Sequence, residues 1–282
     1  MRRVEQTVHP IYHNYQNRKL SVIVPLYKEG AIVQKNIEIL ENELHQYFNN
    51  YEVIAVVDNG KDETYQRMVR LQTLYPRLRV YEYGCNQGKG FALQYGFQRS
   101  NGDYIIFIDG DMNLHPKDIK VFLGLMDMYE SDIVIGSKRH PQSAIEYPLT
   151  RRMLSWGYQL FIRLFLNLNV KDTQVGLKLF KREVLEQSLP RIVVKKYAFD
   201  LELLAVAQHL KFTKILEAPV QLNYFTNHVR TMRGRIQDLR RVICMAFRMF
   251  VDTLAIIYRL RILRYYDQQQ VTVVKVKQKE IF

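Results

Sequence analysis

Five short apolar runs divide the first half of this 282-residue chain, and each closes on a polar or turn-forming residue. They are Leu20–Pro25, Glu52–Asp58, Leu78–Tyr83, residues 103–109 and Ser131–Gly136. Between them lie stretches with helical spacing, over 30–48, 62–75, 88–100 and 116–129. Strands separated by helices of this length imply βαβ units and therefore a parallel sheet. The predicted class is α/β, Rossmann-like, with a mostly parallel central sheet. At 48% hydrophobic and 24% charged residues, the chain has an ordinary globular composition with material for a sizeable core.

Three of these strands end in segments that carry chemistry: Pro25-Leu26-Tyr27-Lys28-Glu29, Asp58-Asn59-Gly60 and Asp109-Gly110-Asp111. In open α/β sheets, ligands bind at the carboxyl ends of the strands. Two carboxylates one residue apart, followed by the Asn113 amide, suit a hard divalent cation, Mg²⁺ or Mn²⁺, shared with substrate phosphates. Gly88-Lys89-Gly90 lacks the spacing of a nucleotide-triphosphate loop and reads first as a tight turn.

The second half is organised differently. A polar loop over 138–150 precedes an apolar helix at 151–168, a short strand at Val175–Phe180 and a helix at 199–210. Residues 212–225 read as one or two strands broken at Pro219. A long basic helix follows at 236–264, and residues 271–277 form a strand whose missing local partner points to pairing within an oligomer. The net charge is +13, and residues 229–282 carry twelve Lys and Arg against four acids. These cations are interleaved with Ile, Phe, Met and Leu, which favours a membrane surface over nucleic acid. The apolar run from Val242 to Tyr258 is interrupted by Arg248 and Asp252. It is too short and too charged to span a bilayer, and an in-plane helix fits better. Cys85 and Cys244 have neither disulfide-framework nor zinc spacing, so a reducing compartment is expected. The amino terminus shows no apolar signal segment. A cytoplasmic protein, peripheral on the cytoplasmic face of a membrane, is the resulting expectation.

Several blocks together resemble the family 2 glycosyltransferases of GT-A fold, and within them the polyprenol-phosphate hexosyltransferases, the dolichyl-phosphate glucose and mannose synthases. The blocks are Ser21–Glu29, Val57–Gly60, Asn86–Gly90, Asp109–Asp111, Gly136–Arg139, Asp172–Phe180 and Phe199–Leu203. The Asp172-Thr173-Gln174-Val175-Gly176 block points to lipid-phosphate acceptors, and its details lie closer to the glucose type. The resemblance implies that Asp109 faces the donor ribose and sugar, while Asp111 ligates the cation, with Asn113 as a further ligand. It implies a donor pocket lined by Pro25, Tyr27, Glu29, Asp58, Lys89, Asp109, Gly110 and Asp111. Lys138 or Arg139, with Arg151 or Arg152, match the positions that hold the acceptor phosphate, joined by Gln174. The segment Asp58-Asn59-Gly60-Lys61-Asp62 is one residue shorter than the family pattern, and the base stays open between UDP-hexose and GDP-mannose donors.

A nucleotide-diphosphate leaving group gains negative charge as the C1–O bond breaks, and a divalent cation neutralises it. A lipid phosphate is already ionised near neutral pH, with a second pKa of about 6. It therefore needs cationic clamps such as Arg139 and Arg151 rather than a general base. Direct displacement would invert the anomeric centre. A hydroxyl acceptor would instead require a base, for which Asp200 or Glu202 are the candidates. A third reading is a basic membrane adaptor without catalysis. The expected organisation is a transferase domain over 18–228 and a basic helix and tail over 229–282, contacting membrane, a second copy or a small membrane partner.

Overall fold

The computed structural model describes residues 18–30, 32–59, 62–143, 161–196, 198–221 and 234–267, with side chains of the last segment from 247 onward. Arg151, Arg152, residues 151–160, the boundary at 228/229 and the tail at 271–277 lie outside the described residues, as does the side chain of Cys244.

Seven strands form one sheet in the order β3-β2-β1-β4-β6-β5-β7. They are β1 (Leu20–Leu26), β2 (Tyr51–Asp58), β3 (Leu78–Tyr83), β4 (Tyr104–Phe107), β5 (Ile133–Ser137), β6 (Lys178–Lys181) and β7 (Ile215–Pro219). The pairs β1–β2, β1–β4, β2–β3 and β5–β7 are parallel. Only β6 runs against its neighbours β4 and β5, with Phe107 opposite Lys178 and Tyr104 opposite Lys181. The helices are α1 (Val33–Tyr47), α2 (Thr64–Leu74), α3 (Lys89–Phe97), α4 (Ile119–Met128), α5 (Arg182–Ser188), α6 (Phe199–His209) and α7 (Gly234–Arg261).

Strand side chains alternate between faces, so each central strand feeds two cores. Val22, Val24, Val53, Ala55 and Ile106 pack on the α1, α2 and α4 side. Ile23, Ile54, Val56, Ile105 and Phe107 pack on the α3 and α6 side. Such sandwiched strands show no polar alternation, which is why they read as continuous apolar runs. α3 lies so close to the sheet that Gly96 leaves no room for a Cβ against Ile23.

Pro25 does not end β1, which continues to Leu26. The Ile23 carbonyl accepts from Ile108 N, and the β1–β4 ladder stops there. Two residues on, Pro25 faces the same side beyond the last rung, where its missing N–H removes no ladder bond. The segment 212–225 holds a single described strand, ending at Pro219. The helix read over 116–129 opens as a 3₁₀ turn, Pro116–Asp118, before α4. Of the helix expected over 151–168, residues 161–168 are described; 161–166 are helical, and the helix ends before Asn167, whose φ is 55°.

Candidate active site

Because β2, β1 and β4 are adjacent and parallel, their carboxyl ends open onto one cavity of about 390 Å³. The eight residues assigned to the donor pocket all line it: Pro25, Tyr27 and Glu29 after β1, Asp58 at the end of β2, Lys89 at the start of α3, and Asp109, Gly110 and Asp111 after β4. Asn86, Gly88 and Ala92 complete its α3 wall.

Local geometry explains how the carboxylates are held there. Met112 adopts a left-handed φ of 48° while its side chain is buried, and its N–H donates to the Asp109 carbonyl at 3.1 Å. That turn folds the acidic segment back over the sheet end. Gly110 is required in it, because a Cβ would lie 2.9 Å from the Pro25 carbonyl oxygen and overlap Leu26. The Asn36 side chain donates to the Gly110 carbonyl at 2.9 Å and ties the turn to α1.

Asp109 is held from two sides. Lys89 Nζ lies 2.7 Å from Asp109 Oδ1 and 3.6 Å from Asp200 Oδ2. On the other side the backbone of Gly176 packs against the carboxylate, where any Cβ would collide with Oδ2. Asp200 pairs in turn with the fully buried Lys178, 2.7 Å from Oδ1. The result is an alternating chain of charge, Asp109–Lys89–Asp200–Lys178. Burial disfavours the charged form of Lys89, but Asp200 and Asp109 outweigh it and raise its pKa. Burial likewise opposes ionisation of Asp200, and Lys178 with Lys89 overcomes it, so that carboxyl titrates below its ordinary value. For Lys178 burial prevails and its pKa is lowered.

Asp111 behaves in the opposite way. Its carboxyl is pushed up chiefly by burial; the Asn113 N–H works against the rise, Asp109 adds to it, and Lys89 and Lys138 oppose it. Asn113 is exposed and bonds Asp111 twice, from its backbone N–H at 3.1 Å and through its side-chain amide. Among the described residues no three His, Cys, Asp or Glu side chains gather into a self-contained metal cage. Two carboxylates around Gly110, one of them pushed toward its neutral form by burial, are hard oxygen donors of the type a divalent cation would take. The residues present therefore fit a cation that arrives with a substrate.

Asp58 is buried, and its two oxygens accept from the N–H groups of Gln87 and Gly88, both at 2.8 Å. It thus shapes the loop that presents Lys89. Lys138 and Arg139 follow β5 and are half-buried. Gln174 is exposed, in a turn closed by its N–H to Asp172 Oδ1 at 3.3 Å. Glu217 on β7 anchors that turn by accepting from the N–H groups of Lys171 and Asp172. Two members of the charge chain escaped the sequence reading. Lys178 had a visible signal, a lone lysine inside the apolar run Val175–Phe180, since a buried ammonium demands a carboxylate partner. Asp200 was read only as a candidate base; its neighbour Glu202 points elsewhere, toward Arg259 and Tyr266.

The likenesses to known proteins agree with this geometry. Residues 21–189 match the family described as Glycosyl transferase family 2. The dolichyl-phosphate beta-glucosyltransferase of Homo sapiens is 31% identical over 225 residues, covering 73% of this chain and 67% of that protein. The enzyme of the same name from Dictyostelium discoideum is 30% identical over 207 residues, covering 69% of this chain; the match spans 63% of that relative, a little under two thirds of its length. Among solved structures, glucosyl-3-phosphoglycerate synthase from Mycobacterium tuberculosis, in complex with Mn²⁺, uridine diphosphate and glucosyl-3-phosphoglycerate, aligns with a TM-score of 0.64 at 19% identity, covering 91% of this chain and 86% of that one. That likeness identifies the GT-A fold. With its mostly parallel sheet, its acidic turn after β4 and a match over residues 21–189, the chain belongs to glycosyl transferase family 2.

Proposed function

We propose that this protein transfers a hexose, glucose before mannose, from a nucleotide diphosphate sugar to a polyprenyl phosphate such as dolichyl or undecaprenyl phosphate. The observation that carries the reading is the direct packing of Gly176, from the block associated with lipid-phosphate acceptors, against Asp109 in the donor cavity. On this reading donor and acceptor determinants share one wall. The names of the relatives, dolichyl-phosphate beta-glucosyltransferases, support the same substrates.

In this reading Pro25, Tyr27, Glu29 and Asp58 surround the base and ribose, and Lys89 holds Asp109 toward the sugar. Asp111, with Asp109 and Asn113, would hold Mg²⁺ or Mn²⁺. When bound, such an ion offsets the charge that develops on the departing diphosphate. Lys138 and Arg139, together with Arg151 or Arg152, would clamp the acceptor phosphate; Lys138 is close enough to oppose the rise in the Asp111 pKa. Attack by an ionised phosphate oxygen needs no base, and single displacement inverts the anomeric centre.

The competing reading, a hydroxyl acceptor activated by Asp200 or Glu202, has less support. Asp200 is already committed to Lys178 and Lys89, which depress its basicity. Glu202 is completely buried in a different cluster.

No described helix is long and apolar enough to cross a membrane. α7 seats Thr253 and Ile256 against the core and leaves Phe247, Val251, Leu254 and Tyr258 exposed in a stripe at i, i+4, i+7 and i+11. That stripe suits an in-plane membrane contact beside the lipid acceptor.

The test is incubation with Mn²⁺, a panel of UDP- and GDP-sugars and a polyprenyl phosphate. A glycolipid that requires the metal, with inverted anomeric configuration, is expected. Arg139→Ala should raise the acceptor KM by about tenfold, the cost of one charge-assisted phosphate contact, while donor binding holds. Consumption of no donor would overturn the reading.

A further inference from the structure

Glu202 belongs to no part of the donor cavity, yet it joins three segments that the sequence keeps apart. Its side chain is completely buried on α6. Oε1 accepts from Tyr266 Oη at 2.5 Å and from Arg259 Nη2 at 2.9 Å. Oε2 accepts from the backbone N–H groups of Val193 and Val194 at 3.0 and 2.6 Å. A carboxylate carrying four donors is fully satisfied, and its bonds tie residues 193–194, Arg259 and Tyr266 to α6.

Both sides of this junction continue outward. On the carboxyl-terminal side, Arg259 lies on α7 and donates to Tyr266 Oη at 2.9 Å, while Arg191 donates to the Tyr266 carbonyl at 3.0 Å. α7 and the turn after it are thus locked to the 191–194 segment. On the other side, Lys195 is the next residue along. Its carbonyl accepts from Gly90 N at 3.0 Å, inside the first turn of α3. The same carbonyl presses on Gly88, where a Cβ would lie only 2.8 Å away. Gly88, at a left-handed φ of 93°, is bonded to Asp58 and lines the donor cavity.

We infer that Glu202 is a positioning residue for donor binding, which transmits the seating of α7, through residues 193–195, to the Gly88–Gly90 rim of the cavity. The route consists of hydrogen bonds and backbone only. Relaxing the Glu202 end frees Lys195, and freeing Lys195 releases the turn that places Lys89 beside Asp109. Occupation of the rim by a donor would stabilise the α7 seat in return, because coupling between two sites is reciprocal.

The consequence for donor binding rests on the reading of that cavity as a nucleotide-sugar site, so the experiment separates the two. Amide hydrogen exchange is compared for the full chain, Glu202→Gln and Tyr266→Phe; the second removes one hydroxyl at the far end and preserves the core. Exchange in residues 86–91 should quicken by about tenfold in Glu202→Gln and by less in Tyr266→Phe, with residues 20–26 unchanged. Faster exchange confined to 191–202 and 234–267, with 86–91 as in the wild type, would overturn the inference. In parallel, UDP-glucose and GDP-mannose binding with Mn²⁺ is measured by calorimetry; failure of the wild type to bind either tests the donor reading and leaves the exchange comparison decisive here. For whichever donor binds, its KM should rise about tenfold in Glu202→Gln with kcat nearly preserved, within the range of ordinary coupling energies. An equal fall in kcat at unchanged KM would also count against it.

Discussion

The backbone of Gly176 lies directly on the carboxylate of Asp109, so closely that no side chain can be placed at 176 without displacing an Asp109 oxygen. The loop before β6 and the acidic turn after β4 therefore act as one body. Gly176→Ala should leave the fold intact while shifting Asp109 by a fraction of an ångström to an ångström. Misplacement on that scale costs catalysis up to about 10²-fold. Steady-state kinetics of sugar transfer, beside a thermal melt, would check this; unchanged kcat/KM would show that the Asp109 position is uncritical.

Asp111 gives a pH dependence with a defined sign. Its folded pKa lies above the ordinary value, chiefly through burial, so the folded chain holds this proton more tightly than the unfolded chain. Acidification through that pKa therefore favours folding at this residue and at the same time abolishes the charge a cation needs. Mn²⁺ affinity should decline at a higher pH than for an ordinary aspartate, before any loss of structure. A Mn²⁺ titration across pH, followed by calorimetry alongside circular dichroism, reads both effects, and Asp111→Asn should bind weakly at every pH.

The Lys178–Asp200 pair is buried, and removing Lys178 leaves Asp200 only its longer contact to Lys89. Lys178→Met should cost about 3–5 kcal/mol of stability, and the double variant Lys178→Met/Asp200→Leu should recover much of it. Denaturant unfolding distinguishes this from additivity. Because the Asp200 pKa is depressed in the fold, its stabilising contribution is full above the unfolded carboxylate pKa and fades as pH falls toward the lowered one.

The exposed stripe on α7 can be tested without touching the cavity. Phe247→Ser/Leu254→Ser should weaken binding to phosphatidylserine-containing vesicles by tenfold or more, given about 0.8 kcal/mol for each buried methylene. Co-sedimentation at two salt concentrations measures it, and the unfolding midpoint should move little because Phe247 is 66% and Leu254 45% exposed. Equal binding by wild type and variant would remove α7 as the contact.

Much of the fold was legible because strands buried on both faces leave continuous apolar runs, and such runs need no knowledge of tertiary structure. The residues that line the cavity were legible for a related reason. Asp58, Asp109 and Asp111 end such runs, and parallel neighbours bring strand ends together by topology alone. What escaped was long-range pairing. The reversal of β6 depends on which strands it finds, and nothing within Lys178–Lys181 encodes that partner. The link from Lys178 to Asp200 spans 22 residues, and that from Glu202 to Tyr266 spans 64. Both are settled by helix packing, which sequence periodicity does not specify. Asp200 and Glu202, two positions apart on α6, meet different clusters, and neither set of partners was visible in the sequence.

The reversed strand has one more consequence. Since β6 runs antiparallel between β4 and β5, its beginning rather than its end lies at the carboxyl edge of the parallel strands. The chain therefore passes over Asp109 on its way into β6, not on its way out. Any change of length or conformation in residues 172–177 must be absorbed before Lys178 enters the sheet, within reach of the Asp109 carboxylate. On the proposed reading, in which this loop meets the acceptor and Asp109 the donor, a change of acceptor is tethered to preservation of the donor side. A lineage exploring new acceptors through this loop would have to vary side chains at 172–174 while leaving the Gly176 backbone where it is.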